Sequence, residues 1–241
     1  MSESKATALV IQHGPGGGPG KWEGWLGEAG LGLEVVRGYD GEAVPAQLRH
    51  DALIVLGGGY LPDDDERAPW LAPTRALVGH ALERGTPVFG ICLGGQMLAQ
   101  VAGGEVRGAY GAPEFGSTRL RLRAEAARDP LFHGLPAGPT AVENHVDRIV
   151  RLPSGAHWLA ESAACPYQAF RVGESAWGVQ FHPEASAAKI LRWDAGRLGR
   201  HGVDRTALHE RAVRDEPAAD PVWRQVAHRF AGRVREARAA A

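Results

Sequence analysis

A short apolar run that ends in a cysteine flanked by glycines constrains the fold of this chain more than any other stretch. Residues 87–91 (Pro-Val-Phe-Gly-Ile) have the character of a buried strand, and residues 96–101 suit a helix. Cys92 therefore lies at a strand-to-helix turn, with Gly90 and Gly94 on either side. This spacing is typical of a nucleophile elbow, because small neighbours permit the strained turn that exposes a nucleophilic side chain.

The position of Cys92 also favours a reactive form of its side chain. The helix that follows begins at the sulfur, so its positive dipole end favours a thiolate over a thiol. Free cysteine is among the most buried residue types, so a structural core cysteine is the alternative interpretation. The glycine spacing around Cys92 favours the nucleophile.

Strands alternate with helices from the start of the chain to about Gly103. The predicted strands are residues 6–12, 33–36, 51–56 and 87–91, and the predicted helices between them are residues 22–29 and 69–84. The first of these strands is apolar throughout, which is typical of a parallel strand covered on both faces. The alternation therefore predicts an α/β fold with a doubly wound, mostly parallel sheet and helices on both faces.

The second half of the chain has a different character. Short β-like runs broken by Gly and Pro fill residues 104–176, and residues 117–123 alternate polar with apolar as in an antiparallel strand with one wet face. They predict a small antiparallel β addition. Residues 177–181 form a further apolar strand, and the chain after Lys189 is helical in character.

The C-terminal stretch, residues 222–241, is rich in Arg and Ala and has apolar residues at helical spacing: Trp223, Val226, Phe230 and Val234. An Arg-rich helix is compatible with nucleic-acid binding, but a solvated face with an apolar side docked on its own domain is the favoured interpretation. We expect an enzymatic domain over residues 1–190 and a helical extension over residues 191–241 packed on that domain.

Composition excludes several classes of function. The chain has 27 basic and 28 acidic residues and a formal net charge of -1, so we expect neither a nucleic-acid nor a membrane partner. Its two cysteines make no disulfide framework and no zinc spacing. The N-terminus lacks the order of a signal peptide, and no apolar run approaches the roughly 18 residues that span a bilayer. These features predict a soluble, cytoplasmic protein.

The glycine-rich turn at residues 13–21 resembles a phosphate-binding loop only superficially. The first glycine of that motif falls on Pro15, and Trp22 stands where a magnesium-binding Ser or Thr is required. We therefore expect no nucleotide site there, and we expect the chain to need no cofactor and no metal.

A cysteine nucleophile needs a base and a group that orients the base. His182 and Glu184 suit these roles because residues two apart in an extended segment point to the same side. Attack on an amide also requires oxyanion donors, for which the backbone N–H of Leu93 and a glycine N–H from residues 57–59 are candidates. All these groups follow strands, where open α/β sheets carry their sites.

The two motifs together resemble the class I (triad) glutamine amidotransferases, most closely the stand-alone proteins described as GMP-synthase-like. The motifs are Gly90-Ile-Cys92-Leu-Gly94-Gly-Gln96 and Gly178-Val-Gln-Phe-His182-Pro-Glu184, and the resemblance extends over residues 6–190. It implies a flavodoxin-like fold and a Cys-His-Glu triad. By position it implies oxyanion donors at Gly58 and Leu93, and glutamine contacts at Gln96, Asn144 and His145. Gly59 replaces the family's usual proline, and Gly95 a frequent histidine.

The resemblance implies a glutaminase that forms a γ-glutamyl thioester and passes ammonia to a separate synthetase subunit or another acceptor. Two other functions stay open. One is a hydrolase or peptidase that acts on a different γ-glutamyl compound through the same triad. The other is a non-catalytic regulatory or assembly subunit that keeps the fold, against which the intact triad argues.

Overall fold

A sheet of eight strands lies at the centre of the computed structural model, which describes residues 5–240. In spatial order the strands are β2 (Leu31–Arg37), β1 (Ala6–Gln12), β3 (Ala52–Val55), β4 (Val88–Ile91), β12 (Ala176–Val179), β11 (Ala169–Val172), β10 (His157–Glu161) and β7 (Arg121–Leu122). The first five run parallel, and the last three continue the sheet antiparallel. The predicted mostly parallel sheet is confirmed. Residues 1–4, on which the signal-peptide expectation rests in part, lie outside the described residues.

Helices cover both faces of this sheet, as the alternation predicts. They are α1 (Lys21–Glu28), α2 (Leu71–Glu83), α3 (Leu93–Val101), α4 (Ala187–Ile190), α5 (Ala195–Arg200) and α6 (Arg205–Ala239). One face packs its apolar side chains against α1 and α6, and the other packs against α2 and α3. The parallel strands β1, β3, β4 and β12 are therefore buried on both sides, which explains their apolar sequences, whereas β2 lies at the edge of the sheet and is partly exposed.

Two small antiparallel sheets carry the predicted β addition. β5 (Glu105–Arg107) pairs with β9 (Arg148–Arg151), and β6 (Glu114–Arg119) pairs with β8 (Thr140–His145). The prediction of one strand over residues 117–123 is wrong, because the chain leaves β6 at Leu120 and joins the edge of the central sheet as β7. Leu120 is buried in the main core, and its N–H donates to the carbonyl of Pro139 at 2.8 Å. Leu120 keeps its place in the alternation between the exposed Arg119 and Arg121, so the sequence pattern does not show where β6 ends.

Helix α6 buries the apolar stripe of the C-terminal sequence. The side chains of Trp223, Val226, Phe230 and Val234 are all part of the core on the α1 face. The helix also begins earlier than its apolar stripe and continues through Pro217 and Pro221. Proline removes one backbone donor and disfavours a helix interior, so sequence reasoning does not extend the helix across these positions.

Three strands that are neighbours in the sheet end at the predicted site residues. β3 leads into the glycine turn at residues 57–59, β4 leads into Cys92, and β12 leads through Phe181 to His182. Because these strands are parallel, their carboxyl ends meet at one edge of the sheet. The sheet order thus brings together groups that lie far apart in sequence.

Candidate active site

Cys92 occupies a strained turn between β4 and α3. Its φ is 51° and its ψ is -107°, a backbone conformation that L residues rarely adopt. A Cβ at Gly94 would stand 2.0 Å from the carbonyl oxygen of Val55, and a Cβ at Gly90 would stand 2.4 Å from that of Gly94. The glycines therefore let the turn pack directly on the sheet, which supports the sequence interpretation of a nucleophile elbow.

His182 lies beside Cys92 and is held by its own strand end and by Glu184. Its Nδ1 lies 2.8 Å from Oε1 of Glu184, and its backbone N–H donates to the carbonyl of Val142 at 2.7 Å. The backbone carbonyl of Glu184 accepts from the N–H of Lys21 at 2.9 Å, so the glycine-rich turn at residues 13–21 anchors this segment. The three predicted residues of the triad are thus brought together.

The charges of His182 and Glu184 are set by their mutual contact. Burial disfavours the imidazolium, but the Glu184 carboxylate and the hydrogen-bonded Cys92 side chain outweigh it and raise the pKa of His182 to about 10. Burial likewise disfavours the carboxylate, but His182 and Lys189 outweigh it and lower the pKa of Glu184 to about 2. At neutral pH the pair is imidazolium and carboxylate.

Lys189 and Gln180, to which the sequence analysis gave no role, contact residues of the predicted triad. Nζ of Lys189 lies 3.3 Å from Oε1 of Glu184, so the carboxylate has a second cation. Nε2 of Gln180 lies 3.6 Å from the Cys92 sulfur, and its Oε1 accepts from Nε2 of Gln96 at 3.1 Å. The spacing of Gln180 two residues before His182 in a strand was an available signal, whereas nothing in the sequence singles out Lys189.

The two predicted oxyanion donors belong to the start of α3 and to the glycine turn that packs against it. α3 begins at Leu93, so the N–H of Leu93 is one of the helix donors with no acceptor within the helix. A Cβ built on Gly58 would stand 2.7 Å from Cδ2 of Leu93, and one built on Gly57 would stand 2.7 Å from Cε1 of His182. The backbone of the glycine turn therefore packs against Leu93 and His182 with no room for a side chain at Gly57 or Gly58.

The residues predicted to contact glutamine line the same cleft, and their polar side-chain atoms have different hydrogen-bond partners within the protein. The side-chain nitrogen of Gln96 donates to the Asp147 carbonyl at 3.1 Å as well as to Gln180. Oδ1 of Asn144 accepts from Nη1 of Arg197 at 2.9 Å. Both ring nitrogens of His145 are directed towards protein groups rather than towards the open cleft.

The open space beside Cys92 is a single cleft of about 1020 Å³. Its lining includes Cys92, His182 and the glycine turn of residues 57–59. The same lining includes the cationic and aromatic side chains of Arg192, Trp193 and Arg197.

Comparison with known proteins assigns this chain to a class of enzyme. The family model for glutamine amidotransferase class-I matches residues 25–190. The chain therefore belongs to the class I glutamine amidotransferases.

Individual relatives agree with that assignment. One is the glutamine-hydrolysing GMP synthase subunit of Sulfolobus acidocaldarius, which is 37% identical over 155 residues, or 64% of this chain and 78% of that protein. The GMP synthase of Streptococcus thermophilus is 39% identical over 105 residues, 42% of this chain and 19% of that longer protein. A solved glutamine amidotransferase from Thermotoga maritima is 26% identical, with a TM-score of 0.84 over 95% of this chain and 99% of that one.

The helices were also compared with what a lipid bilayer requires. Within residues 5–240, none combines the length and the apolar character that a membrane crossing needs.

Proposed function

We propose that the chain hydrolyses the side-chain amide of glutamine through Cys92, His182 and Glu184. The observation that carries the proposal is the strained Cys92 at the start of α3, in contact with an imidazole that Glu184 orients at 2.8 Å. A nucleophile, a base and an orienting carboxylate are the parts that covalent amide hydrolysis requires.

The reaction proceeds in two halves with balanced atoms. The Cys92 thiolate attacks the amide carbon, and the N–H groups of Gly58 and Leu93 stabilise the charge on its oxygen. The C–N bond then breaks as the His182 imidazolium donates a proton to the departing ammonia, leaving a γ-glutamyl thioester. Water gives a proton to the neutral imidazole and attacks the thioester, so glutamate leaves and the thiolate returns.

Gln96 and Asn144 are the proposed polar contacts to the glutamine substrate, and His145, whose ring nitrogens both face protein groups, lines the cleft beside them. Gln96 lies on the cleft wall and is held by Asp147 and Gln180, so it is fixed before a ligand binds. We propose that ammonia passes to a separate synthetase subunit, because the Sulfolobus relative is named as one subunit of a synthase.

The first experiment measures ammonia and glutamate released from glutamine by the purified chain, with Cys92→Ala alongside. We expect release by the wild type and none by the variant, with the same thermal melt for both. A glutamine analogue that carries a diazoketone in place of the amide should label Cys92, and glutamine should protect it. A folded protein that neither turns over glutamine nor takes this label contradicts the proposal.

A second candidate is hydrolysis of a larger γ-glutamyl compound. The volume of the cleft and the cations in its lining, Arg192 and Arg197, favour it, because a site for glutamine alone needs neither. The two candidates separate in a comparison of kcat/KM for glutamine and for γ-glutamyl dipeptides with an acidic second residue. If Arg192→Met lowers kcat/KM for the dipeptides and leaves that for glutamine unchanged, the larger substrate is favoured.

A further inference from the structure

A group of buried polar side chains lies behind the cleft and takes no part in the steps proposed above. Glu114 on β6 and His145 on β8 face each other across the strand pair, and Cys165 precedes β11. One ligand atom from each of these three residues lies within 4.8 Å of the other two, and all three residues are buried. A carboxylate, an imidazole and a thiol together are the donor set of a zinc site.

The tautomer of His145 makes this arrangement unusual. Its Nδ1 lies 3.0 Å from the backbone carbonyl of Asp147, which only accepts, so Nδ1 carries a hydrogen. Its Nε2 then faces Oε2 of Glu114 at 3.3 Å and Oε2 of Glu143 at 3.4 Å. Lone pairs directed at one another repel unless a cation, either a proton or a metal ion, lies between them.

The environment of Glu143 independently indicates that a cation binds at the same place. The residue is 0% exposed, and among the described residues neither of its carboxyl oxygens finds a hydrogen-bond partner. Burial, and then the nearby Glu114 carboxylate, raise the pKa of Glu143 well above its usual range. Burial of a carboxyl group without a hydrogen-bond partner destabilises the folded state, so a group that binds it would remove a large free-energy penalty.

The distances fit a metal better than they fit direct hydrogen bonds. Tetrahedral zinc with bonds of about 2.0–2.1 Å separates its nitrogen and oxygen ligands by about 3.3–3.4 Å. The two separations from Nε2 of His145 are 3.3 and 3.4 Å, which is long for an N–H···O bond.

The surrounding hydrogen bonds are also those that metal ligands use. Nε2 of Gln168 donates to Oε2 of Glu114 at 2.8 Å, and the Asp147 carbonyl holds the far nitrogen of His145. Such outer partners fix the tautomer and the orientation of ligands around a metal.

We propose that Glu114, His145 and Cys165 bind a zinc ion, with the buried Glu143 carboxyl group beside it. The inference departs from the expectation that this chain needs no metal, and it does not depend on the proposed reaction. The ion would hold the segment of His145 and Asp147, and the Asp147 carbonyl in turn holds Gln96 on the cleft wall at 3.1 Å. The ion would therefore order the wall of the cleft that carries Gln96, from the side of that wall away from the open space.

Binding requires proton release. Zinc binds cysteine as the thiolate, so the Cys165 thiol loses its proton to solvent when the ion binds. Titration calorimetry in two buffers of different ionisation enthalpy should therefore register protons released per zinc ion bound.

The test uses the full chain, stripped of metal by a chelator and then titrated with Zn²⁺ or Co²⁺. We expect one equivalent of either metal, with a thiolate-to-cobalt charge-transfer band in the near ultraviolet. Cys165→Ser should abolish that band. Gln168→Ala, which removes the hydrogen bonds from Nε2 of Gln168 to Glu114 and Ser162 and leaves the ligands in place, should weaken zinc binding about 10–100-fold.

Cys92→Ala is the matched control, because the triad itself offers a thiolate and an imidazole. The cobalt band should persist in Cys92→Ala. Failure of the folded wild type to bind one equivalent would overturn the proposal and leave a proton between the carboxylates and His145. A band that survives Cys165→Ser but disappears in Cys92→Ala would also overturn it, since the metal would then lie at the triad.

Discussion

Oε1 of Glu184 accepts a hydrogen bond from Nδ1 of His182 at 2.8 Å, in a position where the Glu184 side chain is 2% exposed. The carboxylate orients the imidazole ring, so that the other ring nitrogen is left for the sulfur of Cys92. Lys189 contacts the same oxygen at 3.3 Å and helps to keep the carboxylate ionised. Both the rate of the reaction and the acid stability of the fold should depend on this contact.

Glu184→Gln should lower kcat for glutamine about a thousandfold to ten-thousandfold and leave measurable activity. An amide no longer stabilises the imidazolium and can hold the wrong tautomer, but the nucleophile and the oxyanion donors remain. Ammonia release under saturating glutamine measures the effect. Lys189→Met is the matched comparison, because it removes a cation and preserves the contact between Glu184 and His182. We expect a much smaller loss from it, and equal losses would contradict the orienting role of Glu184.

The same carboxylate should make stability sensitive to acid. The pKa of Glu184 is lowered to about 2 in the folded chain, so its contribution is present above pH 4.5 and is lost as the pH falls towards 2. The loss is on the order of 3 kcal/mol of unfolding free energy. Urea unfolding of wild type and Glu184→Gln between pH 7 and pH 3 measures it. The gap between them should narrow with acidity, and a constant gap would refute the assignment.

The contribution of His182 to stability depends on pH in the opposite direction. The pKa of His182 is raised from 6.5 to about 10, so its contribution is complete below pH 6.5 and is lost as the pH rises towards 10. Unfolding measurements on wild type and His182→Gln across that range should converge at the alkaline end.

The two cysteines should differ in their rates of alkylation. Burial and two neighbouring carboxylates raise the pKa of Cys165 to about 12, and its side chain is 0% exposed. Cys92 lines the open cleft. With iodoacetamide at neutral pH, peptide mass spectrometry should find Cys92 modified well before Cys165, and both modified at once in denaturant. Equal rates in the folded chain would count against an activated Cys92.

The glycines of the elbow should be irreplaceable, whereas a helix glycine should not. A Cβ at Gly94 would stand 2.0 Å from the Val55 carbonyl oxygen, so Gly94→Ala should cost more than about 3 kcal/mol or prevent folding. At Gly79 within α2 the nearest atom is Cγ1 of Val101 at 3.8 Å. Gly79→Ala should therefore stabilise by about 0.5–1 kcal/mol. Denaturant unfolding compares the two, and similar effects would contradict the packing of the elbow.

We propose that residues 191–241 form an extension that unfolds together with the domain of residues 1–190. The ring of Phe230 on α6 packs on Phe89 and Trp177 of the sheet, with ring centroids 5.5 and 6.2 Å away. Phe230→Ala should cost about 3–5 kcal/mol in one cooperative transition. Val213→Ala, at a position 47% exposed on the same helix, should change stability by about 0.5 kcal/mol or less. Two separate transitions would contradict a shared core.

Local patterns were sufficient for the elements and for part of the site. The apolar runs that became β1 and β4 and the glycines around Cys92 carry their structural reason within a few residues. The spacing of His182 and Glu184 is local too, because alternate residues of an extended segment point the same way. The helical spacing from Trp223 to Val234 likewise indicated a buried face. These features depend on periodicity and backbone sterics, which can be inferred from neighbouring residues of the sequence alone.

Other features depend on which segments meet, and only the tertiary structure decided them. The contact of Lys189 with Glu184, the approach of the glycine turn to Leu93 and the four-residue group around His145 join different elements. The break at Leu120 and the continuation of α6 through Pro217 were also beyond local pattern, because packing outweighs intrinsic propensity. The sequence by itself determined the strand ends that carry the chemistry. Sheet order and burial decided which charges face one another there, since both arise from contacts between distant segments.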